Sequence, residues 1–72
     1  MQHSQYSKAL PDQLEKLRGH PFCWDNIKEI LLMYGTKVRV NTGYGIHLIQ
    51  VFIDNREIIF DLEDDIIYNI FL

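Results

Sequence analysis

Residues 37–62, KVRVNTGYGIHLIQVFIDNREIIFDL, decide the fold. Apolar and polar residues alternate, β-branched and aromatic side chains dominate, and Gly, Asn and Asp gather at two points. This predicts three consecutive antiparallel strands, over residues 37–41, 46–53 and 57–62. Asp54, Asn55 and Arg56 hold the second turn. A two-residue hairpin loop pairs positions whose numbers sum to an odd value, so Ile49, Val51 and Ile53 share a face with Ile58, Phe60 and Leu62. A four-residue first turn, Thr42-Gly43-Tyr44-Gly45, gives the same parity and adds Val38, Val40 and His47 to that face.

The opposite face then holds Lys37, Arg39, Asn41, Ile46, Leu48, Gln50, Phe52, Glu57, Ile59 and Asp61. A face that met only water would not normally carry Ile46, Leu48, Phe52 and Ile59 together, so another element or a partner is expected to cover it.

Upstream, the apolar spacing changes to that of helices. Leu10, Leu14 and Leu17 fall on one stripe of a short helix, with Pro11 at its first position, Asp12 in the first turn and Gly19 as its stop. A second helix is expected over 21–34. It opens at Pro21, buries Trp24, Ile27, Leu31 and Tyr34 with Ile30 widening the stripe, and ends at a left-handed Gly35. It should pack on the face containing Val51 and Phe60. Residues 1–9 are polar and unpatterned and read as a mobile arm, leaving 10–72 as a single domain.

The tail, EDDIIYNIFL over 63–72, admits two readings. Glu63, Asp64 and Asp65 before Ile66, Ile67, Ile70 and Phe71 look like an acidic helix start with one apolar stripe, and a C-terminal helix is the expectation. The alternative is a fourth strand, since Ile, Tyr and Phe are strong strand formers. The fold class is therefore α+β: two short N-terminal helices, a three-stranded antiparallel meander, and a C-terminal helix or fourth strand. The order helix–strand–strand–strand–helix resembles, in topology, the double-stranded-RNA-binding domain. That family opens its last helix with a lysine-rich run, where this chain has Glu63-Asp64-Asp65, so the resemblance does not extend to RNA binding. The helix pair against a sheet also resembles small bacterial ribonuclease toxins, which use basic, His or Tyr residues on strands; Arg39, His47 and Arg56 are what this chain offers.

Composition narrows function further. Seventy-two residues make one small domain, and 47% apolar content is too high for disorder and leaves surface for an interface. The net charge is -3, and the cations Lys8, Lys16, Arg18, Lys28, Lys37, Arg39 and Arg56 are scattered, so nucleic acid is disfavoured as a partner. No apolar run approaches the roughly 18 residues of a membrane span, and the polar N-terminus is not a signal peptide. Cys23 is the single cysteine, which fits a reducing, cytoplasmic setting.

No residue set makes a catalytic, cofactor or metal site. His20 and Cys23 have ligand-like spacing, but zinc needs about four ligands, so a buried thiol beside a histidine at a helix start is expected. Thr42-Gly43-Tyr44-Gly45 joins two strands and lacks the Lys-Ser or Lys-Thr of a phosphate loop; it reads as a hairpin turn with Gly at positive φ. His47 reads as a histidine at the edge of the core.

What remains is surface. Ile46, Leu48, Phe52 and Ile59, with Tyr44 at a loop tip and the Ile70-Phe71-Leu72 end, form the candidate interaction surface. Asp61, Glu63, Asp64 and Asp65 form a candidate acidic docking patch. The expected function is a small non-enzymatic interaction protein: an inhibitor, adaptor or accessory subunit of the kind bacteria and phages encode. Its partner is a protein, with a symmetric homodimer expected because one patch serves both subunits. The alternatives are a toxin-like nuclease using His47, Arg39 and Tyr44, and an acidic mimic of nucleic acid.

Overall fold

The computed structural model describes the backbone over residues 2–72 and side chains from Ala9 onward. The arm expected over 1–9 lies, Ala9 apart, outside the residues whose side chains are described. The elements follow in the order α1 (Gln2–Glu15), α2 (Trp24–Leu32), β1 (Val38–Asn41), β2 (Leu48–Ile53), β3 (Arg56–Glu63) and β4 (Ile66–Phe71). The four strands form one antiparallel sheet in sequential order, β1-β2-β3-β4. Both helices pack on one side of it. The core joins Leu10 and Leu14 of α1, Ile27 and Leu31 of α2, Val51, Ile53, Ile58 and Phe60 of the central strands, and Ile67 of β4. Each such side chain contributes about 1.5–3 kcal/mol on burial. Trp24, Ile30 and Tyr34 pack against it half-buried, as the helical spacing predicts.

The expected C-terminal helix is absent; residues 66–71 are the fourth strand. The acids before it form a turn. Glu63 pairs with Ile66, and the two loop residues Asp64 and Asp65 have φ of 56° and 67°. Positive φ at both central positions is what a type I′ hairpin requires, and Asp tolerates that conformation better than most residues. The apolar spacing of the tail also has a strand explanation. Asp61 pairs with Asn69 but Leu62 pairs with Ile67, so Tyr68 is one residue too many in β4. This β-bulge resets the alternation.

The central hairpin has the expected register. Ile53 pairs with Arg56 across the two-residue loop Asp54-Asn55, and Val51 with Ile58. The first hairpin does not. Asn41 pairs with Gln50, not Ile46. The shift is an even number of residues, so every strand side chain keeps its expected face. Ile46 and His47, however, leave the sheet for the loop, where both are exposed. The turn has no glycine at positive φ; Asn41 shapes it, its Oδ1 accepting from the Gly43 N–H at 3.0 Å.

The helix boundaries also move. Pro11 lies inside α1 and does not open it. Pro21 does not open α2. It bridges to Ile66, and residues 19–22 run along β4: Gly19 N–H to Ile67 O at 2.8 Å, Ile67 N–H to His20 O at 2.9 Å, Phe22 N–H to Asp65 O at 3.0 Å. Gly19, at φ +84°, turns the chain into this path, whereas Gly35 is not left-handed. Gly35 is needed for space: a Cβ there would lie 2.6 Å from Ile53 Cγ1 and 2.7 Å from Asp54 Oδ2. Phe22, which lies on no helical stripe, sets its ring edge-on to Phe60 at 5.5 Å.

Candidate functional site

With both helices on one side, no helix lies over the other side of the sheet among the described residues, although Gly45 of the β1–β2 loop sits beside Leu48 there. Cross-strand pairing orders it in rows: Arg39–Phe52–Glu57, then Asn41–Gln50–Ile59–Phe71, then Leu48–Asp61–Asn69. Two kinds of surface result.

Towards β1 the face is polar. The Arg39 guanidinium lies 4.5 Å from the centroid of the Phe52 ring, shielding it, an exposed cation–π contact of about 0.5–1 kcal/mol. Asn41 Nδ2 donates to Gln50 Oε1 at 3.0 Å, and Gln50 Nε2 donates in turn to Glu57 Oε2. Towards β4 the face mixes apolar Leu48, Ile59 and Phe71 with Asp61 and Asn69. Leu48 and Ile59 are diagonal neighbours, and Ile59 sits directly opposite Phe71, which is 50% exposed.

Of the candidate interaction residues, the structure thus brings Leu48, Phe52, Ile59 and Phe71 onto one open face. Ile46, 93% exposed, and Tyr44 belong to the β1–β2 loop. Ile70 pairs with Phe60 and packs against the core instead. Leu72 is exposed just past β4.

The acidic candidates gather at the β3–β4 hairpin. Asp61, Glu63 and Asp64 line an open groove of ≈ 450 Å³ with His47, Leu62 and Tyr68, and Asp65 is exposed at the turn. The His47 carbonyl accepts from the Leu62 N–H at 2.7 Å, which pins the loop beside β3. Neither Arg39 nor Tyr44 lines this groove. A phosphodiester entering it would meet three carboxylates and no guanidinium, so the catalytic trio His47, Arg39 and Tyr44 is not assembled there.

His20 and Cys23 line a second groove of ≈ 450 Å³ with Lys16, Leu17, Pro21, Asn26 and Ile27. Cys23 is exposed, not buried as expected, because it precedes α2 in extended conformation, outside the helix's buried stripe. Among the described residues no group of three or more His, Cys, Asp or Glu side chains is placed to hold a metal ion. No helix among them is long and apolar enough to cross a membrane.

Asp54, expected as a turn residue at the start of the acidic run, is a heavily used acceptor. Asp54 Oδ1 accepts from Lys37 N–H at 3.0 Å, Thr36 N–H at 3.1 Å and Thr36 Oγ1 at 3.2 Å, and the Asp54 N–H donates to Lys37 O at 2.7 Å. The backbone donors of Lys37, then Thr36, hold its carboxyl below the ordinary Asp value of 3.8. It fixes the approach of β1 to the sheet.

Comparison with protein-family models, with curated proteins and with solved structures finds no match to this chain.

Proposed function

We propose that this chain is a small non-enzymatic protein that acts by binding another protein, as an inhibitor, adaptor or accessory subunit, through the open face of its sheet. The observation that supports this reading is the neighbouring strand positions of Leu48, Ile59 and Phe71 on a face to which no helix is assigned. The same side of the sheet carries an ordered polar ladder, Asn41–Gln50–Glu57, of the kind that gives an interface its specificity. A second copy is the first partner to test, since self-complementary patches are the commonest closed solution. We place the protein in the cytoplasm, where an exposed, unpaired Cys23 thiol stays reduced.

The test compares wild type with Ile59→Asp. Ile59 is half-buried on the open face and outside the core, so the variant should fold. Co-purification and light scattering should show a partner or second copy held by the wild type and lost in the variant. A wild-type monomer that retains nothing from its own host would contradict the reading.

A further inference from the structure

We propose that the free edge of β1 takes up an extended acidic segment of a partner protein as a fifth strand. This rests on the reading of the chain as an interaction protein and adds where, and with what chemistry, a partner attaches.

The two edges of the sheet are not alike. β4 is closed: residues 19–22 hydrogen-bond along its first half. Further on, the Ile70 N–H is taken by Asn69 Oδ1 at 3.0 Å, which also accepts from Arg18 Nη2 at 2.7 Å. β1 is open. Lys37 directs both its N–H and C=O towards Asp54, on the β2 side. Alternation then turns Arg39 and Asn41 to β2 and leaves Val38 and Val40 with both backbone groups pointing outward. Among the described residues no strand or loop hydrogen-bonds to that side of β1. Two donors and two acceptors in a row are a template for strand addition.

Charge selects the occupant. Lys37 and Arg39 are both exposed and flank Val38, with the Arg39 guanidinium over Phe52 on the open face beside this edge. A second copy pairing antiparallel through β1 must match outward residues with each other. Val38 opposite Val40 sets Arg39 against its own equivalent, and Val38 opposite Val38 sets Lys37 against Arg39. Like charges directly opposite destabilise a ladder. Val40 opposite Val40 avoids this but runs past Asn41, where β1 ends. The cations that repel a copy attract a strand with acids at alternate positions, those acids on the open face and apolar residues between them beside Val38 and Val40. Such a strand would widen the open face.

The experiment uses the full chain labelled with nitrogen-15 and three short peptides in which valine alternates with glutamate, glutamine or lysine. The glutamate peptide should shift the Val38 and Val40 amide signals and slow their exchange with solvent. Two opposite-charge pairs should make it roughly 2- to 30-fold tighter than the glutamine peptide. The double variant Lys37→Glu, Arg39→Glu leaves the backbone bonds to Asp54 in place and should switch preference to the lysine peptide. No binding, binding indifferent to peptide charge, or shifts confined to Leu48, Ile59 and Phe71 would overturn the proposal, as would a dimer paired through β1. A natural partner lost on Ile59→Asp while no peptide reaches β1 overturns the edge assignment alone; loss of both overturns the broader reading as well.

Discussion

Ile67 and Ile70 stand three residues apart yet point to the same side of the sheet, Ile67 opposite Leu62 and Ile70 opposite Phe60. An unbroken strand would send them to opposite faces. The extra residue Tyr68 makes the difference, and it leaves Ile67 fully buried while Tyr68 itself is 63% exposed. Ile67→Ala should therefore cost about 2–5 kcal/mol, as a deletion in a tight core does, and Tyr68→Ala far less. Denaturant melts of the two variants check this; equal losses would contradict the bulge.

The acidic turn gives a test of sign. In a helix start, replacing Asp65 by Gly would lose a favourable charge–dipole interaction of about 0.3–1 kcal/mol. At φ 67° in a two-residue hairpin, Gly is the favoured residue. Asp65→Gly should raise the melting temperature, and a clear fall would contradict the turn.

Much of this fold is legible in the sequence because parity is robust. The residues expected on the core face, from Val38 to Leu62, lie there, with His47 the exception, although the first hairpin pairs four residues out of the expected register. A side-chain period of two forgives any even error in loop length. The tail misleads for the converse reason. One bulge turns a spacing of two into three, which imitates a helical stripe, and acids tolerant of positive φ imitate a helix start. The open face was readable as surplus apolar residues. Its polar ladder was not, because it needs the actual register of the first hairpin, nor was the closed edge of β4, which depends on contacts distant in sequence such as Arg18 with Asn69.

Gly35 tests the packing between the α2–β1 connection and β2. Its missing Cβ makes room for Ile53 and Asp54. Gly35→Ala should destabilise by about 1–3 kcal/mol, the usual range for overpacking. Thermal melts read it directly, and a neutral or stabilised variant would show that the space is not needed.

Asp54 predicts a pH dependence. Its folded carboxyl titrates below the ordinary 3.8, so the stabilisation it gives is fully present above that pH. It is lost as pH falls from about 4 through the lower folded value, because the unfolded state takes up the proton first. In Asp54→Asn, which keeps an acceptor oxygen and tolerates positive φ, this acid component should vanish from the curve of melting temperature against pH. Parallel acid limbs in wild type and variant would mean that the ionised carboxylate contributes nothing.

The central claim is that a partner covers the open face of the sheet. It is tested most directly by placing a photo-crosslinking residue, one position at a time, on each side of the molecule in its own host. Positions 48 and 71 replace Leu48 and Phe71 on the open face; position 33 replaces Met33, 72% exposed at the end of α2. Crosslinked adducts from positions 48 and 71, with none from 33, are predicted. Adducts from position 33 alone would place the partner on the helical side and contradict the account.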